Sequence, residues 1–176
     1  RQCRVAVDCC NGACVLLMPR WLRALGCDLV LINDDPSAPF PHDPEPRLDT
    51  AAQTSALLRS TRADIGFVLD ADGERVLIVD ESGRALSEEL TLALATSIRM
   101  RRRTGTVVTN VSTTGAIEKI AARYGGTVVR TPVGQAHISE ALVEHHAVIG
   151  GEGNGAVAVP EVHATHDSAA TIGLLL

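Results

Sequence analysis

Aromatic residues are almost missing from this chain. Trp21, Tyr124, Phe40 and Phe67 are all that its 176 residues contain. Four rings cannot furnish a base-stacking surface, and a formal net charge of -5 supplies no basic field for a phosphate backbone. Nucleic acid is not an expected partner. Long apolar runs are absent too: no stretch of about 18 apolar residues occurs, so no membrane span is expected. The first residues lack the charged-then-apolar design of a signal peptide. What remains is ordinary for a folded protein, with 45% apolar and 21% charged residues. The core must therefore come from Val, Leu, Ile and Ala. The length admits one sizeable core or two α/β domains of about 90 residues.

Cysteine is unevenly spread. All five (Cys3, Cys9, Cys10, Cys14 and Cys27) fall within the first 27 residues, in apolar strand and helix patterns. An odd number so placed reads as reduced, buried thiols, which implies a cytoplasmic setting. Cys10 and Cys14 share a helical spacing, but no second pair or nearby His completes a metal site. No Ser-His-Asp set and no Cys beside an obvious base is present, so covalent catalysis by these residues is not expected.

Short β-branched runs alternate with helical stretches, as in mainly parallel sheets flanked by helices. Strands are expected at 3–8, 28–33, 65–69, 76–80, 106–110, 127–131 and 147–150, with an apolar segment at 156–159. Helices fall between them. Pro19 either opens the regular part of the first helix or kinks it. Residues 34–49 hold five of the eight prolines and form a long irregular loop. Thr50 and Gln53 carry a capping-box signature. Ser87 is placed to cap a long helix whose Glu88 and Glu89 suit its positive end and whose last turn is rich in Arg. Arg99 and Arg101–Arg103 read as a solvated helix end leading into an interdomain connection rather than a phosphate-binding patch. The expected fold is α/β: two tandem three-layer domains with mixed, mainly parallel sheets, divided as residues 1–103 and 104–176. Both ends read as cut from something longer.

Three loops carry chemistry. Asp70-Ala71-Asp72-Gly73-Glu74-Arg75 leaves a strand with carboxylates at alternate positions, which can converge on one hard divalent cation. Arg75 beside them could hold a phosphate bidentately. An acidic turn of structural role is the competing reading, and an EF-hand is excluded by the flanking strands. Gly150–Gly155 leaves only Glu152 and Asn154 to project side chains, an acceptor and an amide suited to sugar hydroxyls. A glycine hairpin is the alternative there. Arg130-Thr131-Pro132-Val133-Gly134-Gln135 turns from strand to helix, with His137 nearby, at a helix N-terminus that favours anions. His163, His166 and Asp167 read as a helix entry or a polar cluster, and His145 and His146 as surface residues.

Taken in order, these loops resemble the α-D-phosphohexomutase superfamily along essentially the whole chain. VAVDCCNGA, FPHDPEP and LDADGER resemble its second domain. VVTNVSTTGAIEKIAARYGGTVVRTPVG and VIGGEGNGAVAVPEVH resemble its third. The phrase GGEGNG followed by PE-H is most similar to phosphoglucosamine mutases. The resemblance implies that Asp70, Asp72 and Glu74 bind Mg2+ and that Arg75 lies beside a phosphoserine. It further implies that Glu152 and Asn154 hold sugar hydroxyls, while Thr131, Gly134 and Gln135 line the substrate cleft. The family reaction moves phosphate between the C6 and C1 oxygens of a hexose phosphate, through the phosphoserine and a bisphosphate intermediate.

Four departures accompany it. Glu74 stands where an Asp is usual, and Asn154 where phosphoglucomutase relatives carry Ser. His166 replaces an Arg, and Cys10 and Cys14 occupy glycine positions of the first turn. The family's phosphoserine domain and its phosphate-gripping last domain have no counterpart in these residues. The chain is therefore expected to be an inactive part of an active parent, with those domains as its partners. A non-catalytic sugar-phosphate-binding module is the alternative, and a phosphatase using Asp70 and Asp72 a more distant one.

Overall fold

A computed structural model describes residues 2–176. The chain forms two compact units, the first ending at Glu88 and the second spanning Glu89–Leu176. In the first lie β1 (Arg4–Asp8), a 3-10 turn (Ala13–Val15), α1 (Leu17–Ala24), β2 (Asp28–Ile32), α2 (Ala52–Thr61), β3 (Ile65–Leu69) and β4 (Val76–Val79). The second holds α3 (Glu89–Arg102), β5 (Thr106–Asn110), α4 (Ala116–Arg123), β6 (Thr127–Thr131), α5 (Gln135–Glu144), β7 (Ile149–Gly151), β8 (Val157–Ala158) and α6 (Ser168–Leu175).

Each unit is one four-stranded sheet of the same order, β2-β1-β3-β4 and β6-β5-β7-β8. The first three strands in each order run parallel and the last is antiparallel. Strands covered on both faces read as continuous apolar runs rather than alternating ones. Val5, Ala6 and Val7 of β1 are accordingly all buried. Alternation then deals the residues to two cores. Ala6 and Val68 pack with Leu58 of α2, whereas α1 buries Met18 and Leu22, one turn apart. In the second unit Val107 joins Leu92, Ile117 and Ile149, and its neighbour Val108 joins Ile138 and Leu142.

The mixed, mainly parallel α/β architecture is as expected. The dividing point differs from the expected 103/104. Leu92, Ala95 and Met100 of α3 bury in the second core, so the whole helix belongs there. Its arginine-rich end is likewise not all solvated. Arg99 is buried, donating from Nε to the Val148 carbonyl at 3.1 Å and pairing with Glu161 at 2.5 Å.

The capping box also fails. α2 starts after Ala51 with no side-chain cap. The Thr50 hydroxyl bonds the Arg47 backbone instead, and Gln53 accepts from Asn33. Pro19 sits in the first turn of α1 and does not interrupt it. Among the described residues no helix is long and apolar enough to cross a membrane.

Candidate functional site

Identical strand order puts the two most distinctive loops at matching places. The acidic loop joins β3 to antiparallel β4, and the Glu152 loop joins β7 to antiparallel β8. Both leave the carboxyl end of a parallel strand, where open α/β sheets place their ligands.

In the first unit Asp70 is buried at 1% exposure. Its carboxylate accepts the Gly73 N–H at 2.9 Å and the Arg75 N–H at 3.1 Å, and Arg75 Nε donates to Oδ2 at 3.1 Å. Burial nevertheless raises its pKa to about 6. The bonds from Arg75 oppose the rise, and the adjoining Asp72 carboxyl adds to it. Asp72 beside it is exposed, and neighbouring carboxyl oxygens of this kind suit a hard metal ion. The fit is partial: among the described residues no group of three His, Cys, Asp or Glu side chains is placed to hold a metal. Arg75 is fastened on its other side to Glu45 at 3.5 Å. These two carboxylates outweigh the opposing burial and hold its guanidinium charged.

The turn after β1 backs this loop. Ala13 N–H donates to the Ala71 carbonyl at 2.8 Å, and a Cβ on Gly12 would lie 2.5 Å from that oxygen. Only glycine allows the approach. Just before it, Cys10 has φ 52° and Asn11 φ 50°. Cys10 thus occupies the left-handed region that ordinarily favours glycine.

Asp8 ends β1, is fully buried, and gathers the surroundings. It accepts from Cys10 N–H at 2.9 Å, Asn33 Nδ2 at 3.0 Å and the Thr54 hydroxyl at 3.3 Å, and meets His42 Nε2 at 3.2 Å. His42 belongs to FPHDPEP, so the proline-rich loop is pinned to the strand end. Arg47 ties that loop to Asp43 and Glu45.

The second unit is built around Glu152, 7% exposed. Its Oε1 accepts from Asn110 Nδ2 at 2.6 Å and Gly134 N–H at 3.2 Å. Asn110 ends β5, and its Oδ1 accepts the Ser112 N–H and the Thr113 hydroxyl at 3.0 and 2.8 Å. The Thr113 oxygen in turn accepts the Gly153 N–H at 3.0 Å. Arg130 clamps this turn: it pairs with both oxygens of Glu118 and donates to the carbonyls of Asn110 and Thr113 at 2.5 and 2.9 Å. A cavity of about 250 Å3 opens beside it, lined by Glu89, Asn110, Ser112, Val133, Glu152, Gly153 and Asn154.

Glu152, Asn154 and Gly134 are therefore brought together. Thr131 is buried with its hydroxyl on the Pro132 carbonyl at 2.8 Å. Neither Thr131 nor Gln135, the first residue of α5, lines the cavity. His163 is exposed and bonds Asp167 at 2.7 Å, and Asp167 caps α6 through Ala170 N–H at 2.9 Å, a helix entry. His166 is buried, while His145 and His146 are exposed. Asp8, Asn110 and Thr113 were not singled out from the sequence, whereas Arg130 was read only as the start of the 130–135 turn and Glu89 only as an acid at a helix start. A polar residue closing an apolar strand was the available signal for the first two.

Comparison with known proteins agrees with this organisation. Residues 1–83 match the family described as phosphoglucomutase/phosphomannomutase, alpha/beta/alpha domain II, and residues 87–176 match its domain III. The chain is 36% identical to a Methanopyrus kandleri protein named as a probable phosphoglucosamine mutase, over 93% of this chain and 37% of that one. It is 37% identical to a Thermococcus kodakarensis phosphoglucomutase/phosphomannomutase, over 95% of this chain and 37% of the other. A crystal structure of a Burkholderia thailandensis protein of the same family superposes with TM-score 0.85 at 26% identity, covering 99% of this chain and 40% of that one. The chain thus spans little more than a third of its curated relatives' length. With both units matched to consecutive domains, it belongs to the α-D-phosphohexomutase superfamily, as domains II and III of the phosphoglucomutase/phosphomannomutase family.

Proposed function

We propose that this chain supplies the metal and sugar loops of a phosphohexomutase that interconverts hexose 6-phosphate and 1-phosphate, with glucosamine phosphate as the substrate. One observation carries the reading: a buried Asp70 carboxyl with Asp72 exposed beside it, and a walled Glu152–Asn154 cavity, occupy the same strand end in two matched domains. The phosphoserine donor and the phosphate-gripping loop would come from flanking domains outside these residues, the chain's natural partners.

Asp70 and Asp72 would hold Mg2+, with Glu74 turning in as third ligand. The ion would supply charge stabilisation for the transferring phosphoryl group. Arg75, held between Asp70 and Glu45, is set to orient a phosphate beside the pair without paying the entropy of an unrestrained side chain. Glu152 has one oxygen engaged by Asn110 and Gly134, which fixes the carboxylate so that it can accept hydroxyl hydrogens from a sugar. Asn154 adds an amide, and Gly134 steadies the Glu152 carboxylate from the neighbouring turn. Such fixed acceptors orient a sugar whose two ends must be presented in turn. Free thiols throughout the first unit support a reducing, cytoplasmic setting. A non-catalytic role gains no support from the relatives, which are named as mutases.

The test is turnover of glucosamine 6-phosphate by the protein joined to its flanking domains, with Mg2+ and a hexose bisphosphate present. Glu152→Ala is expected to raise KM and lower kcat together, and Asp70→Asn to abolish Mg2+-dependent turnover. Full activity of Asp70→Asn at every Mg2+ concentration would sink the metal assignment.

A further inference from the structure

Glu89 opens α3 and is half-buried. Its Oε2 accepts the Thr114 N–H at 2.9 Å, a bond to the turn after β5. A carboxylate offers about four lone-pair sites, and this bond fills one. The rest of the group lies against the sugar loop. A Cβ on Gly153 would stand 2.6 Å from Glu89 Oε1 and 2.8 Å from its carboxyl carbon. The bare α-carbon between Glu152 and Asn154 is therefore what lets the Glu89 carboxylate stand there.

Glu89 and Glu152 consequently wall one cavity, and no Lys, Arg or His is among its lining residues. Arg130 acts on Glu89 from behind the turn but is engaged by Glu118, so the two lining carboxylates set a negative potential in the cavity. A sugar phosphate is itself an anion, so a neutral hexose ring brings nothing to offset the repulsion. An ammonium group on the ring does, and its hydrogen bond to a carboxylate is charge-assisted, about twice as strong as a neutral one.

We propose that Glu89 is a specificity-determining residue whose carboxylate accepts the ammonium of an aminohexose phosphate, selecting it over the hexose phosphate with a hydroxyl at that carbon. This rests on the reading of the Glu152–Asn154 cavity as the sugar site, and adds a residue outside the glycine loop. A Glu in the first turn also suits the positive end of a helix. That role would treat both sugars alike, so the two are separable.

The experiment is calorimetric titration of the protein with glucosamine 6-phosphate and with glucose 6-phosphate, for the wild type, Glu89→Gln and Gly153→Ala. Gln keeps an oxygen for the Thr114 N–H and removes only the charge. Wild type is expected to prefer the amino sugar. Glu89→Gln should weaken glucosamine 6-phosphate roughly tenfold and leave glucose 6-phosphate within about twofold. Gly153→Ala displaces the carboxylate and should shift the preference the same way, which keeps the test open if Glu89→Gln does not fold. An unchanged preference in the folded variants, or equal weakening of both sugars, overturns the role of Glu89 and leaves the sugar site standing. A wild type that binds neither sugar overturns both.

Discussion

The two units share a strand order but finish their first strands differently. β1 ends in Asp8, a buried carboxylate served by a backbone N–H, an amide, a hydroxyl and an imidazole. β5 ends in Asn110, a buried amide that both accepts and donates. An acid can only gather donors, so the first unit needs the long 34–49 loop to bring His42 to it. An amide can also hold a carboxylate, and Asn110 reaches directly to Glu152. One topology thus presents a metal-type loop braced from behind in the first unit. In the second it presents a sugar-type carboxylate gripped from the side. Cations follow suit: Arg75 lies between two acids of the site, whereas Arg130 lies behind the turn and braces carbonyls.

Removing the hubs breaks the comparison most severely. Asp8→Ala strips the shared acceptor from several part-buried donors and should cost about 3 kcal/mol. Asn110→Ala should cost about 2 kcal/mol, because fewer groups lose their partner. Chemical denaturation followed by amide NMR reads each unit separately. A larger loss for Asn110→Ala would mean that the buried charge is not the stronger organiser. Next in size, Arg130→Lys keeps the charge but loses the fork that binds Glu118 and the turn carbonyls together. A loss of about 1.5 kcal/mol in the second unit is expected. A cost under about 0.3 kcal/mol would show that the clamp is dispensable.

The smallest effect comes from the thiols, all five of which lie in the first unit. Burial, with Asp8 adding to it, pushes the Cys9 thiol up to about 12 and the Cys10 thiol up to about 11, from 9.0. Their neutral forms favour the folded state, fully so below pH 9. Above it the unfolded chain loses those protons first, so stability falls as pH rises from 9 towards 12. Trp21 fluorescence should report this loss for the first unit, with no cysteine contribution in the second. At pH 8, iodoacetamide should label exposed Cys3 before buried Cys9 or Cys10, by mass spectrometry. Equal labelling of Cys9 would contradict its burial.

Much of this was readable in one dimension. Val5–Val7 and Val107–Val108 show as strands because parallel strands bury both faces, and the acidic and glycine loops show because their residue types are concentrated locally. The unread parts depend on distance along the chain. α3 looked like the end of the first domain, since an arginine-rich terminus gives no hint that Met100 packs forward. Thr50 and Gln53 matched a capping box, but Arg47 and Asn33 claimed their side chains. Cys10 could be matched to a glycine position, yet its left-handed backbone is visible only once the Ala71 carbonyl closes over Gly12.

By itself, then, the sequence determined two α/β units, their family and the chemical character of the two loops, because periodicity and local composition need no partner to be read. Tertiary structure alone decided which groups aim those loops. Asn110 finds Glu152 across 42 residues, and Glu89 meets Gly153 because β5, β7 and the start of α3 converge at one end of a sheet. Such contacts are set by strand order, which no local pattern encodes.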